Sequence, residues 1–110
     1  MNKDPNLSLN DDEFNKLSGI YKLFSSTTRL KIVCLLGQSE MSVGDICKAV
    51  DLTSSAVSHQ LKELKQSKIV KFRREAQTVY YSLDNQNIMK ILSTGTEYIK
   101  GSLQNENTIC

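Results

Sequence analysis

Apolar residues recur every three or four positions along most of the first two thirds of the chain. This spacing covers residues 11–24, 27–36, 43–50 and 54–66. Apolar side chains repeated at this period form one face of an amphipathic helix. The pattern therefore predicts four helices, of which the second is apolar enough to be the central core helix.

The pattern changes after Ser67. Residues 69–74 and 78–83 are rich in β-branched and aromatic residues with partial alternation, and residues 75–77 connect them. This arrangement predicts a β-hairpin. Helical spacing returns over residues 88–99 and predicts a last helix. The predicted fold is mainly α with a β-hairpin wing, in the order α-α-α-α-β-β-α.

Short polar residues mark where the predicted helices begin. Residues 25–27 break the first helix and supply an N-cap for the second, and Ser42 with Asp45 fits a capping box. Thr53 is the predicted N-cap of the fourth helix, and Asp84 or Asn85 that of the last. Gly37 stands where a helix C-terminus is commonly closed.

The third and fourth helices are joined by the tight turn Asp51-Leu52-Thr53. Two short helices with such a connection form a helix-turn-helix, and the hairpin that follows makes it a winged helix-turn-helix. We expect one domain over residues 11–101, with a flexible lead-in at 1–10 and a polar tail at 102–110.

Composition limits the chain to one compact domain. It has 110 residues, and its 39% of hydrophobic residues is thin for a stable monomer, so we expect oligomerisation. No apolar stretch approaches the roughly 20 residues that span a bilayer. The polar, acidic start MNKDPNLSLNDDEF is unlike a secretory signal, so a cytoplasmic protein with reduced thiols is expected.

Positive charge is concentrated in one part of the chain although the net charge is only +2. Between residues 59 and 74 the only acidic residue is Glu63. The basic residues in this segment are Lys62, Lys65, Lys68, Lys71, Arg73 and Arg74. Such a stripe predicts a site for a polyanion, although a solvated helix face is the plainer interpretation. Its place beside a helix-turn-helix favours the polyanion.

The second helix of a helix-turn-helix enters the DNA major groove with its N-terminal residues. Here that helix, residues 54–66, opens with short or planar hydrogen-bonding groups and continues with cations. The candidate DNA contacts are Ser54, Ser55, Ser58, His59, Gln60, Lys62 and Lys65 on the helix and Arg73, Arg74 and Gln77 on the wing, which also carries Lys71. Each also has a plainer interpretation, as a helix-start residue or an ordinary surface residue.

Three segments together resemble the ArsR/SmtB family of transcriptional regulators. They are "EMSVGDI" (40–46), "LTSSAVSHQLKEL" (52–64) and "REAQTVYYSL" (74–83), within a similarity that runs from about residue 23 to 99. The resemblance implies a homodimeric winged-helix repressor, assembled through its first and last helices on an inverted-repeat operator. It also implies that Ser55, Ser58, His59 and Gln60 read DNA.

The metal ligands common in that family are missing from the matching positions. Ser42 and Gly44 stand where many members have a Cys-x-Cys pair, and the positions of the other familiar site hold Asn85, Asn87, Tyr98 and Gly101. Hydroxyl, amide and phenol groups and a bare glycine are poor ligands for a zinc-like ion. We therefore expect neither metal site and no cofactor.

The three cysteines, Cys34, Cys47 and Cys110, leave several interpretations open. Cys34 is most simply a small buried hydrophobe. "RLKIVCLL" (29–36) also resembles a metal-independent branch of the family that senses oxidants or sulfur species, in which this cysteine pairs with one near the end of the last helix. Lys100 occupies that position here, which leaves Cys110 or Cys47 as the partner. Cys47 and Cys110 together could instead bind arsenite or copper(I).

Three other functions compete with that of an inducible repressor. A winged helix can dock its basic wing on an acidic protein partner, and a DNA-binding dimer can act constitutively without an inducer. An enzyme is disfavoured, because Cys34 and His59 have no evident orienting third group or oxyanion site.

Overall fold

A computed structural model describes residues 8–101. It contains five helices, which are α1 (Asp11–Leu23), α2 (Thr27–Gln38), α3 (Val43–Val50), α4 (Ser54–Gln66) and α5 (Ile88–Lys100). Its three strands are β1 (Met41–Ser42), β2 (Val70–Glu75) and β3 (Thr78–Leu83). The strands form one antiparallel sheet in the order β1-β3-β2. The predicted mainly α fold with a hairpin wing is confirmed.

Most helices begin at the predicted polar residues. The side chains of Ser26, Ser42 and Thr53 each accept a hydrogen bond from a backbone N–H in the first turn. The full capping box, with both reciprocal bonds, is at Asn10 and Glu13 rather than at Ser42. Ser42 also pairs with Tyr80 as part of β1, so its backbone belongs to the sheet as well as to the helix start.

Gly37 does not end α2, and that prediction was wrong. The helix continues to Gln38, and the Ser39 N–H closes it by donating to the Leu35 carbonyl at 3.3 Å. A Cβ atom at Gly37 would lie 2.5 Å from Met89 Sδ of α5. The absence of a side chain therefore lets α5 lie against α2, which is a packing role rather than a capping one.

Two other features differ from the sequence prediction. The two-residue strand β1 is too short to give a periodic signal, and its register with β3 places Met41 opposite Tyr81. Helix α5 begins at Ile88, later than a cap at Asp84 or Asn85 implies. The Asn85 side chain instead accepts from the Asn87 N–H at 2.8 Å, which closes a local turn before the helix.

The core lies between α2, α3, α4 and the base of the hairpin. Its buried residues are Phe24, Ile32, Val33, Leu36, Ile46, Val57, Leu61, Leu64, Ile69, Val70 and Leu83. In contrast, α1 and α5 contain no buried residue. Among residues 8–101 no helix is long and apolar enough to cross a membrane.

The end of α4 is fixed by a Schellman motif that delivers the chain to the hairpin. The Ile69 N–H donates to the Leu64 carbonyl and the Lys68 N–H to the Lys65 carbonyl, both at 2.9 Å. Leu64 and Ile69 are both buried, as expected for the hydrophobic contact of this motif. Lys68 has a φ of 63°, in the left-handed region where glycine is preferred.

Replacing Lys68 by glycine should raise the free energy of unfolding by about 0.5–1 kcal/mol, because glycine adopts this φ without the steric cost of a Cβ. Urea unfolding measures the change. Lys68→Ala removes the same charge but keeps the Cβ, so it should stay within about 0.5 kcal/mol of the wild type. An equal gain in both variants would show that the charge at residue 68, not its backbone conformation, limits stability.

Candidate nucleic-acid interface

Helix α4 has one face in the core and the other in solvent. Val57, Leu61 and Leu64 are 0% exposed, and they fix the rotation of the helix about its axis. The predicted contacts on the opposite sides are exposed, namely Ser54, Ser55, Ser58, His59, Lys62 and Lys65. Gln60, at the border between the two faces, is half-buried.

The turn between α3 and α4 has the compact geometry of a helix-turn-helix. Asp51 ends α3 with a φ of 58°, and the N–H groups of Asp51 and Leu52 both donate to the Cys47 carbonyl. Aspartate tolerates this left-handed conformation better than most residues. Thr53 then caps α4 by accepting from the Ala56 N–H at 3.1 Å. The polar start of α4 is thereby held at the protein surface.

Gln60 and His59 are not free side chains in this structure. The Arg29 Nε of α2 donates to Gln60 Oε1 at 2.6 Å, and the same guanidinium pairs through Nη2 with the Glu63 carboxylate. The other Glu63 oxygen, Oε2, lies 3.2 Å from His59 Nε2. These four residues form one connected group, which we call the Arg29 network.

The hairpin has two chemically different faces, because side chains alternate along a strand. Val70 pairs with Leu83 in the core and Phe72 pairs with Tyr81, with ring centroids 5.8 Å apart. The Lys65 Nζ of α4 lies 4.3 Å from the centre of the Phe72 ring. The face that carries Phe72 is therefore directed toward α4, and Arg74, two residues further on, belongs to the same face.

Arg73 lies on the opposite face, and its guanidinium already has hydrogen-bond partners within the protein. Its Nε and Nη2 donate to the two carboxylate oxygens of Glu40 at 2.8 and 2.9 Å, and its Nη1 donates to Glu75 at 2.7 Å. The guanidinium also lies 4.8 Å from the centre of the Tyr80 ring. The hydrogen bond and charge of Arg73 lower the pKa of Glu40, and the bonds to Glu40 and Glu75 raise the pKa of Arg73. Arg73 therefore ties the hairpin to the segment before β1.

The remaining predicted contacts have unoccupied polar groups. Within residues 8–101 the side chains of Arg74, Gln77 and Lys62 make no ion pair or hydrogen bond. All three are exposed. Arg74 is consequently the wing arginine whose donors are available, a distinction that the adjacent pair Arg73-Arg74 does not reveal in the sequence.

The cysteines lie apart from this surface. Cys34 is disulfide-bonded in the structure, and Cys47 is a free, half-buried thiol, so Cys47 is not its partner. Cys110 lies outside the described residues. Cys34 borders a cavity of about 400 Å³ between α2 and the end of α3, lined by Thr27, Leu30, Lys31, Leu35, Gln38, Ala49 and Val50. No three His, Cys, Asp or Glu residues of the described part are grouped as metal ligands.

Helices α1 and α5 carry large apolar side chains that the described residues leave uncovered. Phe14 and Tyr21 of α1 are about half exposed, and Tyr98 and Ile99 of α5 are 86% and 77% exposed. These are the two helices for which the family resemblance implies a dimer interface.

Sequence reasoning missed Arg29 and the role of Glu63. Glu63 was counted only as the single acid within a basic run, yet its position four residues after His59 is the helical spacing for a side-chain pair. Arg29 is 31 residues from Gln60, and no local spacing connects them. Only the tertiary fold, in which α2 and α4 contribute to one core, brings the two side chains together.

Comparison with known proteins gives a consistent result. Residues 26–71 match the family described as "Bacterial regulatory protein, arsR family". The chain is 30% identical to the transcriptional repressor SmtB homolog of Synechocystis sp. over 83% of this chain and 69% of that protein. It is 32% identical to the transcriptional activator HlyU of Vibrio cholerae over 78% of this chain and 82% of the relative.

A solved structure shows the same likeness in three dimensions. The crystal structure of NolR from Sinorhizobium fredii superposes with a TM-score of 0.74 at 33% identity. The superposition covers 92% of this chain and 97% of NolR. The likeness therefore includes the helices on both sides of the winged helix-turn-helix.

Because the pKa of Glu40 is lowered by Arg73, the stability that this pair contributes should be present above the ordinary glutamate pKa of 4.5 and be lost as the pH falls through the lowered value. The difference in urea midpoint between wild type and Glu40→Gln should thus be constant near neutral pH and vanish in acid. A Glu40→Gln difference that persists in acid would contradict the ion pair.

Proposed function

This chain belongs to the arsR family of bacterial regulatory proteins, and from that premise we propose that it is a homodimeric transcriptional repressor that binds an inverted-repeat DNA operator. Membership of a family of DNA-binding regulators confirms the expectation that the chain is not an enzyme. In the proposed complex α4 lies in the major groove, and the wing formed by β2 and β3 contacts the backbone or the minor groove.

The observation that carries this proposal is the shared surface of α4 and the hairpin. The exposed hydroxyls of Ser54, Ser55 and Ser58 are suited to phosphates and base edges at close range. Lys65 and Arg74 extend the same surface onto the wing, because the Phe72 face of the hairpin is directed toward α4. Hydrogen-bonding groups for bases are thus flanked by cations for phosphates.

The exposed apolar residues of α1 and α5 support a homodimer. Large apolar side chains are exposed on these two helices, neither of which contains a fully buried residue, and such exposure indicates a protein-protein surface. A two-fold dimer would present two copies of α4, and two major grooves on one side of B-DNA are about 34–36 Å apart. This is the basis for proposing an inverted-repeat operator.

Repression follows if the bound dimer covers a promoter. The Synechocystis relative is named a repressor and the Vibrio relative an activator, so the same fold serves both outcomes. DNA occupancy by itself excludes a competing polymerase, whereas activation needs an additional contact. We therefore propose repression as the primary outcome.

We further propose that Cys34 chemistry releases the repressor. The disulfide bond of Cys34 on α2 supports this proposal, because it places an oxidised cysteine at the position where the switch is expected. Forming a disulfide from two thiols gives two electrons and two protons to an oxidant such as a peroxide, which is reduced to water or an alcohol. The oxidised dimer would have to bind the operator less tightly than the reduced dimer for the signal to act.

The first test of DNA binding is a titration of the reduced protein against its own upstream promoter DNA at several salt concentrations. Arg74→Ala should weaken binding to all DNA sequences and lower the slope of log K against log[salt] by about 1, because one phosphate contact is lost. Lys16→Ala, which removes a cation that pairs with Asp12 on α1, should leave the slope unchanged. No binding even at low salt would favour the rival function, a protein-interaction module.

The thiol proposal predicts that peroxide or polysulfide lowers operator affinity by tenfold or more in the wild type but not in Cys34→Ser. The partner thiol is tested with Cys110→Ser, which should also abolish the response. Cys47→Ser is the matched control and should respond like the wild type, because Cys47 is a free thiol outside the disulfide. Binding that is unaffected by oxidant in every variant would make the cysteines structural and the dimer a constitutive binder.

A further inference from the structure

The bond between Arg29 and Gln60 determines which half of the Gln60 amide is available. A guanidinium has five N–H donors and no acceptor, so the Gln60 atom 2.6 Å from Arg29 Nε must be the amide oxygen. This settles the orientation of an amide whose oxygen and nitrogen are otherwise easily interchanged. Arg29 therefore uses one of the two lone pairs of the Gln60 carbonyl oxygen, which directs this oxygen toward α2, and both N–H donors of the amide remain without a partner among residues 8–101.

The Arg29 side chain is itself held in place by an ion pair and by partial burial. Arg29 pairs with Glu63, one turn after Gln60 on the same helix, so the guanidinium bridges two residues of α4. Its side chain is only 20% exposed, and α2 is anchored in the core by Ile32, Val33 and Leu36. Glu63 also offsets the positive charge of Arg29. The orientation of Gln60 is thus imposed by a helix that is anchored in the core rather than by solvent.

A glutamine reads adenine by using both halves of its amide, with the oxygen accepting from N6–H and the nitrogen donating to N7. That bidentate contact needs the oxygen and the nitrogen to face the same base edge, whereas the Gln60 oxygen is directed at Arg29 of α2. The free donors suit bases that present acceptors without a neighbouring donor in the major groove, which are guanine through N7 and O6 and thymine through O4, whereas adenine places the N6–H₂ donor beside its N7 acceptor. Cytosine, which presents the N4–H₂ donor, is the poorest match.

We propose that Arg29 is a positioning residue that turns Gln60 into a donor-only reader, so that each half-site is selected for guanine or thymine and against cytosine at the base pair facing Gln60. This inference rests on the proposed function, because it requires α4 to enter the major groove. It deepens that function by assigning base specificity to a residue of α2 that does not itself face the DNA.

The test is a competition assay on a panel of operators in which each base pair of the half-site is changed to the other three. The wild type should prefer guanine or thymine at one base pair in each half-site. Gln60→Glu keeps an oxygen for Arg29 but presents an acceptor instead of donors, so cytosine or adenine should gain about fivefold or more relative to guanine there. Arg29→Met frees the Gln60 oxygen, so adenine should gain relative to guanine by a similar factor.

Lys31→Met is the matched control for Arg29→Met. Lys31 is an exposed cation on the same helix and takes no part in the Arg29 network. Lys31→Met therefore removes the same charge as Arg29→Met. We expect this variant to keep the wild-type order of base preferences. An identical order of preference in the wild type and Gln60→Glu would overturn the inference and leave the proposed function intact. Failure of the wild type to bind any operator would overturn the proposed function and this inference with it.

Discussion

The burial of one face of α4 is the constraint on which the remaining structure depends. An isolated helix of 13 residues is marginal in water, so its position must come from packing. Val57, Leu61 and Leu64 are fully buried, and each such side chain contributes about 1.5–3 kcal/mol. Exposed ion pairs contribute at most about 1 kcal/mol each. The apolar contacts therefore fix the helix, while polar contacts on its outer side can be exchanged when a ligand binds.

The basic stripe of the sequence separates into groups with different roles once the chain folds. Arg73 and Arg74 are neighbours in sequence, but strand alternation sends them to opposite faces of the hairpin. Arg73 is held by two carboxylates, whereas Arg74 has no such partner among residues 8–101. The number of positive charges in the sequence is thus larger than the number of cations that are available to bind phosphate. The charges that shape the wing and those available to a polyanion are distinct sets.

The parts of this fold that could be predicted from sequence are those governed by local patterns. The bounds of α4, its Thr53 cap and the hairpin strands follow from periodicity and capping within a few residues. Gly37 was misinterpreted because a glycine near a helix end suggests a cap, and only the position of Met89, far along the chain, reveals the close packing. Strand β1 and the Arg29–Gln60 bond were missed for the same reason, since both depend on tertiary contacts.

Helix α2 is placed to connect the proposed signal to the proposed reader. Cys34 and Arg29 lie five positions apart on this one helix, a rise of about 7.5 Å at the 1.5 Å per residue of an α-helix. Arg29 contacts Gln60 and Glu63 of α4 directly. A chemical change at Cys34 alters DNA affinity only if it favours one of two arrangements that bind the operator differently. Because α2 is anchored in the core by Ile32, Val33 and Leu36, we expect any displacement to move the helix as a unit, and one that stretches the 2.6 Å hydrogen bond would release the Gln60 amide. The proposed thiol signal and the proposed base-reading residue would then be linked through one helix, without any need for a rearrangement of the whole domain.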